Sequence, residues 1–281
     1  MRQKTLAIIS IIAVLSGCEL SREVAARSYR LITSLHAAPV DGRELPFGIE
    51  SVCTRGSLSW LVPVGGNDIV LIDTGFDDQA RAIKLKVGSR KIKAILLTHA
   101  HVDHAAGTQS IDAPVYVGRA DAPALRGEAI FSALWPRLAQ AFLGIPITKG
   151  PIHPVDDGFV YAVDGSNTER GFLAIATPGH TVGSTSWLYR GILFGGDAVE
   201  IPAADTIYPA PLGFTQDISA AYDSLRRLRD HHIEFLADAH IGVLKNPEAA
   251  LRRALERQHN DELFDYPFGE PRGCADDPPD T

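Results

Sequence analysis

The stretch that decides the fold runs from Thr98 to Gly107 and has the sequence Thr-His-Ala-His-Val-Asp-His-Ala-Ala-Gly. Imidazole nitrogens and carboxylate oxygens are the usual ligands of zinc and similar divalent ions. Four such side chains fall within six residues here: His99, His101, Asp103 and His104. The apolar run from Lys93 to Leu97 directly precedes them and has the length of a strand. The cluster is therefore predicted to lie where a strand ends, which is the edge at which open α/β sheets bind ligands.

The spacing within this cluster excludes one common metal motif. A zinc-protease helix places two histidines at positions i and i+4 with a glutamate between them. His99 and His101 are two residues apart instead, which suits extended or looped backbone. Asp103 and His104 are adjacent, so their side chains diverge. Two pairs serving two neighbouring ions are more natural than one cage, and the remaining ligands must come from later in the chain.

The first 17 residues are predicted to be a targeting segment. Arg2 and Lys4 form a basic start, and residues 6–15 are almost all apolar, which is too short a run to span a bilayer. The segment ends in Leu15-Ser16-Gly17-Cys18, which resembles the lipobox of bacterial lipoproteins. That resemblance implies a lipid anchor on Cys18, and the alternative is an ordinary secretory signal cut nearby. Either way we expect an exported chain in the bacterial cell envelope, attached to a membrane and facing the periplasm in the lipoprotein case.

Export changes how the charges and cysteines are interpreted. Removal of Arg2 and Lys4 with the segment moves the net charge from −7 to −9, which argues against a nucleic-acid partner. With Cys18 set aside, Cys53 and Cys274 remain, and two cysteines in an oxidising compartment can pair. In the chain-entropy model such a long-range bridge contributes roughly 5 kcal/mol, less any native strain.

The order of the predicted elements favours an α/β fold in which two mixed sheets lie between layers of helices, an αββα sandwich. Strands and helix–strand units recur in two halves of one domain over residues 28–270, after a tether over 18–27 and before a frayed tail over 271–281. The apolar stretch over 128–150 is either a core-packing helix or a flap beside the site. Strands are predicted at 29–35, 57–64, 69–72, 92–97, 115–117, 159–163, 172–176, 185–189, 192–194 and 233–237, and helices at 76–85, 128–143, 218–229 and 246–255, the last with Asn246 as its N-cap.

Three later strands also end in residues that can bind metal. His180 follows the strand ending at Ala176, Asp197 follows Phe194, and His240 follows Ala237. Each stands near glycine or another small residue, which lets backbone crowd close to a site. Three such coincidences favour one shared site with the first cluster. The other histidines lack this context and are interpreted as surface or capping residues, with His153 the strongest exception: His36, His153, His231, His232 and His259.

These motifs, in this order over residues 73–240, resemble those of the metallo-β-lactamase superfamily. The resemblance implies the αββα sandwich with two metal ions at one edge of its sheets. It implies that His99, His101 and His180 bind the first ion and that Asp103, His104 and His240 bind the second. Asp197 would bridge both ions, and Asp73, in Asp73-Thr74-Gly75, would support the site from behind its ligands.

The chemistry of such a site predicts a hydrolase. Two divalent ions share a water molecule, lower its pKa to give a bridging hydroxide at neutral pH, and stabilise the oxyanion that develops. Asp103 could orient that hydroxide or carry a proton to the leaving group. The ligand types favour zinc, and manganese or iron fits the same set.

Departures from known subfamilies narrow the substrate class. β-Lactamases of the superfamily usually carry cysteine or serine in place of Asp197, and acyl-homoserine lactonases usually carry tyrosine in place of Glu200. A small ester or lactone is the leading substrate, with a β-lactam or a phosphodiester as the alternative. A lipid-anchored metal-binding protein without turnover is the alternative from another class.

Overall fold

The structure is a computed structural model, and it describes residues 45–54, 57–129, 131–143, 147–163, 171–203, 205–210, 213–240 and 242–259. Several predictions from sequence lie outside these residues: the targeting segment over 1–17, Cys18, the tether, the strand over 29–35, His36, Cys274 and the tail. Cys53 is disulfide-bonded. Because Cys274 lies outside the described residues, its pairing with Cys53 stays a prediction. None of the described helices is long and apolar enough to cross a membrane.

Six strands form the first sheet in the same order as they follow along the chain. The first three are antiparallel neighbours, and the pairs from the third to the sixth are parallel. A turn at Gly66 and Asn67 joins the second and third strands, as the Gly-Gly-Asn-Asp sequence predicts. The strands are β1 (Glu50–Thr54), β2 (Ser57–Gly65), β3 (Asp68–Ile72), β4 (Lys91–Leu96), β5 (Val115–Gly118) and β6 (Ile152–Val155).

The other strands form a second sheet and a small ribbon. They are β7 (Val160–Tyr161), β8 (Phe172–Ala176), β9 (Thr185–Tyr189), β10 (Ile192–Phe194), β11 (Glu200–Ala203), β12 (Thr206–Tyr208), β13 (Phe235–Ala237) and β14 (Val243–Lys245). The second sheet has the order β14-β13-β10-β9-β8-β7 and is also mixed, since among these described strands only the β10–β13 pair is parallel. A separate two-stranded ribbon pairs β11 with β12.

Alternating side chains of the central strands belong to different cores. Val70 and Ile72 of β3 pack between the two sheets, whereas Ile69 and Leu71 pack on the helical side of the first sheet. Because both faces are covered, β3 is a continuous apolar run rather than an alternating one. Trp187 of β9 is fully buried in the core between the sheets.

Helices cover both outer faces, so the predicted αββα sandwich is confirmed. The helices are α1 (Arg81–Val87), α2 (Val102–Ala105), α3 (Leu134–Leu143), α4 (Ile218–Leu228) and α5 (Glu248–His259). Tyr222, Leu225 and Leu251 pack in a third core that also contains Leu193 of β10. Each buried side chain of this size contributes about 1.5–3 kcal/mol to the free energy of unfolding.

Some predicted boundaries were wrong. The helix expected from residue 76 begins only at Arg81, because the carboxylate of Asp77 accepts hydrogen bonds from the amides of Gln79 and Arg81 and holds a turn there. The helix expected from residue 128 begins at Leu134. Asn246 is not an N-cap, since its φ of 53° lies in the left-handed region and the helix begins two residues later.

Candidate metal centre

Strand direction explains why the predicted ligands meet. β8 and β10 are both antiparallel to β9, and β10 is parallel to β13, so β8, β10 and β13 run the same way. Their C-terminal ends therefore reach one edge of the second sheet, where His180, Asp197 and His240 follow. The amide of Thr185 donates to the carbonyl of Thr98 at 2.8 Å, which joins this edge to the end of β4 in the first sheet.

The first predicted group is a tight convergence of three imidazoles. Nε2 of His180 lies 3.2 Å from Nε2 of His99 and 2.8 Å from Nδ1 of His101. All three side chains are buried. Three ring nitrogens at this separation match the face of a tetrahedral site for an ion that takes nitrogen ligands. The structure thus brings together the three histidines that the resemblance assigns to the first ion.

The second group meets the first through Asp197. Its Oδ1 lies 3.0 Å from Nε2 of His240 and 3.1 Å from Nε2 of His104, and its Oδ2 lies 3.4 Å from Nε2 of His180. Oδ2 of Asp103 lies 3.8 Å from Nε2 of His104, so these adjacent side chains converge and the predicted divergence was wrong. One ligand atom from each of Asp103, His104 and His240 falls within 4.8 Å of the others. Asp197 therefore stands where a bridge between two ions would stand.

The predicted supporting residue contacts both a ligand and the backbone beside another. Oδ2 of Asp73 lies 2.9 Å from Nδ1 of His104, and the amide and hydroxyl of Thr98 donate to the two oxygens of Asp73 at 2.7 and 2.8 Å. Asp73 has φ of 56°, a left-handed conformation that aspartate tolerates better than most residues. A carboxylate on the outer nitrogen of a histidine fixes the tautomer, so the inner nitrogen faces the site as an acceptor.

Close packing at Gly196 places Asp197. Gly196 has φ of 54°, and a Cβ there would come within 2.5 Å of the side chain of Thr98. The turn over Gly196–Ala198 can therefore lie against the end of β4 only with glycine at that position. The Gly-Gly-Asp sequence thus brings the carboxylate next to His104.

Burial and charge divide the histidines into two kinds. Burial lowers the pKa values of His99 and His101 well below the ordinary value and that of His180 to about 4, so these rings present lone pairs. Burial by itself would also lower the pKa of His240, but the charges of Asp197 and Glu200 raise it to about 10. Burial alone would raise the pKa of Asp197, yet His240 and His104 hold it well below its usual range.

The donor set of the site fits divalent ions. Four buried carboxylates converge here beside five buried histidines, and such a set of oxygen and nitrogen donors suits divalent cations: Asp73, Asp103, Asp197 and Glu200. Nε2 of His104 is fully buried and faces Oδ1 of Asp197 at 3.1 Å without the geometry of a hydrogen bond. A buried nitrogen in this position can serve as a metal ligand.

Four residues beside the site were not singled out as functional from sequence. Glu200 lies with Asp197 and His240 in a further group of potential ligands. Phe131 packs against His101 with the ring centroids 4.4 Å apart. Asp121 and Asp238 accept hydrogen bonds from the ligand-bearing loops. Asp121 follows β5 and Asp238 follows β13, so the strand-end rule that found the ligands could also have found both.

The histidines set aside from sequence lie elsewhere where the structure describes them. His153, the strongest exception, is exposed on β6 and stacks on Tyr116 with the centroids 4.8 Å apart. His232 is exposed beside Glu234. Neither belongs to a group of potential ligands among the described residues.

The sandwich and the edge cluster of histidines and aspartates define a metal-dependent hydrolase of the αββα class. The model of the metallo-beta-lactamase superfamily matches residues 54–240, which is most of the chain. The chain belongs to that superfamily.

Two curated proteins of Bacillus subtilis (strain 168) are similar in sequence. The uncharacterized protein YobT is 28% identical over 207 residues, 68% of this chain and 86% of that protein. The probable metallo-hydrolase YflN is 29% identical over 211 residues, 64% of this chain and 77% of that protein. Among solved structures, the metallo-beta-lactamase family protein TTHA1429 of Thermus thermophilus matches with a TM-score of 0.58 and 19% identity, over 80% of this chain and 85% of that chain.

Proposed function

We propose that the protein hydrolyses a small ester or lactone at a centre of two divalent metal ions. The observation that carries the proposal is the position of Asp197 between the two groups of ligands, 3.0–3.1 Å from His240 and His104 and 3.4 Å from His180. A cysteine or serine at this position, as is usual in β-lactamases of the superfamily, would not offer two oxygens to two ions. The aspartate therefore favours hydrolysis of substrates other than β-lactams.

The residues for each ion follow from the two groups. His99, His101 and His180 would hold one ion, Asp103, His104 and His240 the other, and Asp197 would contact both. Ions held in this way would acidify a water molecule and polarise the carbonyl oxygen of the substrate. Zinc suits the nitrogen-rich ligand set, and manganese or iron is the alternative.

Asp103 is the residue that we assign to proton transfer. It is 4% exposed, and it lies in the first turn of the short helix Val102–Ala105, facing His104. Its carboxylate would take a proton from the attacking water and pass it to the oxygen of the leaving alcohol. The ester C–O bond breaks as the new C–O bond to water forms, which gives an acid and an alcohol, or a hydroxy acid from a lactone.

An apolar side chain borders the first group of ligands. Phe131 packs against the ring of His101 with the ring centroids 4.4 Å apart, and it is buried. Removing the charge of a phosphodiester from water beside such a ring costs more than removing an ester carbonyl, which favours the carbonyl substrate.

A panel assay tests this proposal. The purified mature chain, loaded with zinc and separately with manganese, is given a lactone, an aryl ester, a thioester, a β-lactam and a bis-aryl phosphodiester. We expect kcat/KM for the lactone or the ester to exceed that for the β-lactam and the phosphodiester by at least about 10²-fold. A preference for either of the last two would overturn the substrate class. Two bound ions without turnover of any substrate would favour the metal-binding lipoprotein instead.

The sequence of the first 18 residues supports a location for this activity. We propose that residues 1–17 direct export and that Cys18 carries a lipid, so the enzyme would work at the membrane surface of the bacterial cell envelope, facing the periplasm. A small substrate would then reach it from the periplasm.

A further inference from the structure

Two buried carboxylates outside the predicted ligand set each hold one half of the metal centre. We propose that Asp121 is a positioning residue for the group of His99, His101 and His180, and that Asp238 is a positioning residue for the group that contains His240. The proposal rests on the metal-binding part of the proposed function and is independent of the substrate.

Asp121 joins the two loops that supply the first group. Its Oδ2 accepts hydrogen bonds from the amide of Ala100 at 3.0 Å and from the hydroxyl of Thr181 at 2.8 Å, and its Oδ1 accepts from the amide of Gly183 at 2.9 Å. Ala100 lies between His99 and His101, and Thr181 follows His180. One carboxylate thus fixes the separation of the three converging imidazoles.

The packing around Asp121 leaves little freedom. The side chain is 2% exposed. A Cβ on Gly183 would come within 2.5 Å of its Oδ1 and within 2.4 Å of its backbone nitrogen. The loop after His180 can therefore approach this carboxylate only because residue 183 is glycine.

Asp238 has the same arrangement at the other end of the centre. Its Oδ1 accepts hydrogen bonds from the amides of His240 at 3.0 Å and Gly242 at 2.8 Å, and its Oδ2 accepts from the amide of Ile201 at 2.9 Å. Ile201 directly follows Glu200. Asp238 therefore connects the loop of His240 to the strand that brings Glu200 to the same edge.

Asp121 and Asp238 should act separately, because their hydrogen-bond partners lie on different loops. Three hydrogen bonds to one buried carboxylate can hold two loops in place before an ion binds. A substitution at Asp121 or Asp238 should therefore weaken binding of the ion on its own side of the centre. Substitutions at sites without shared partners have nearly additive effects. Substitution of a residue that orients metal ligands typically lowers metal affinity by about 10–100-fold.

The test uses Asp121→Asn and Asp238→Asn, which keep the side-chain shape but replace one acceptor oxygen by a donor. The two zinc dissociation constants are measured by competition with a chelating dye, and the visible spectrum of the cobalt-loaded protein reports the geometry of each site. His180→Ala and His240→Ala assign the two binding steps. We expect Asp121→Asn to weaken the step that His180→Ala removes, and Asp238→Asn the step that His240→Ala removes, each by about 10-fold or more.

Double variants make the assignment strict. Asp121→Asn should add no further loss of zinc affinity to His180→Ala, but combined with His240→Ala it should weaken the one remaining site. Asp238→Asn should show the reverse pattern. Equal weakening of both steps by each variant, or unchanged constants and cobalt spectra, would overturn the proposal. If the wild-type protein binds less than one ion per chain, the proposed function is refuted. If it binds two ions and both variants keep its zinc affinities, only the positioning roles of Asp121 and Asp238 are refuted.

Asp77→Asn is the matched control. Asp77 is also a buried aspartate that accepts two backbone amides, from Gln79 at 3.1 Å and Arg81 at 2.7 Å, but it holds the start of α1. It should lower the melting temperature without changing either zinc constant. Should Asp121→Asn fail to fold, Thr181→Val removes a single hydrogen bond to Asp121 and should weaken the same step by a smaller factor. An unchanged zinc dissociation constant for that step would then refute the positioning role of Asp121.

Discussion

Oδ1 of Asp197 lies 3.0 Å from Nε2 of His240, although the two residues are 43 positions apart. The same carboxylate faces His104 and His180, which belong to different groups of ligands. This single side chain makes one centre out of two groups, and its removal is the most direct test of that centre.

Asp197→Ala should lower kcat/KM by about 10²-fold or more and reduce the bound metal below two ions per chain. Loss of the carboxylate removes a ligand from both sites and takes one charge partner from His104 and from His240. Activity and metal content are measured on the same preparation. The control is Asp156→Ala, an exposed carboxylate paired with Arg119 at 2.7 Å, which should change neither. Full activity in Asp197→Ala would refute the bridging role.

Metal removal should lower thermal stability. Asp103, Asp197 and Glu200 are buried at the site, and an ion that binds only the folded chain stabilises it by about 2.7 kcal/mol when present at 100 times its dissociation constant. A melting curve with a strong chelator should therefore shift to lower temperature, and added zinc should restore it. Asp197→Ala should show a smaller shift. An identical midpoint with and without chelator would show that the buried carboxylates bind no ion.

Trp187→Phe should lower the free energy of unfolding by about 1–3 kcal/mol. The indole nitrogen of Trp187 donates to the carbonyl of Leu97 at 3.0 Å in the core between the sheets, and phenylalanine would leave that buried carbonyl without this donor. Urea unfolding followed by circular dichroism measures the change. A loss below about 0.5 kcal/mol with an unchanged m-value would mean that the hydrogen bond contributes little.

Cys274→Ser should release the thiol of Cys53, which is disulfide-bonded in the structure. The chain has three cysteines, and a lipid-modified Cys18 would have no sulfur left for a disulfide, so Cys274 is the expected partner. Thiol titration of the denatured variant should find one more free thiol, and stability should fall by up to roughly 5 kcal/mol. A peptide map that joins Cys53 to Cys18 would contradict both the pairing and the lipid anchor.

Cys18→Ala should abolish membrane attachment and leave catalysis unchanged. In a bacterial host fed labelled palmitate, wild-type protein should take up label and fractionate with membranes, whereas the variant should do neither. Purified protein lacking residues 1–18 should keep the kcat of the full chain, since this segment carries none of the predicted ligands. Wild-type protein without label would leave the ordinary secretory signal as the explanation of residues 1–17.

Much of the fold was predictable because its strands are apolar runs that end at glycine, aspartate or histidine. β9 and β10 have the predicted bounds, and the strand before His99 differs by one residue at each end. The helix starts were less predictable. Asp77 holds a turn where the helical pattern already runs, and Asn246 adopts a left-handed conformation, so a local hydrogen bond or dihedral overrides the periodicity at both places.

The amino-acid sequence by itself determined the kind of donor at each strand end, because strand length and small flanking residues are local properties. It therefore predicted that His99, His180 and His240 would meet. Only the tertiary structure decided which ring nitrogens face inward and which carboxylates hold the loops, since the hydrogen bonds of Asp121 and Asp238 join segments from 2 to 62 positions apart. Asp121 and Asp238 also stand after strands, so their positions were visible in the sequence, but the amides that they accept depend on how the loops fold together. The Thr98–Gly107 cluster was therefore recognisable from sequence as a metal site, whereas the hydrogen bonds that hold it were decided by the tertiary structure.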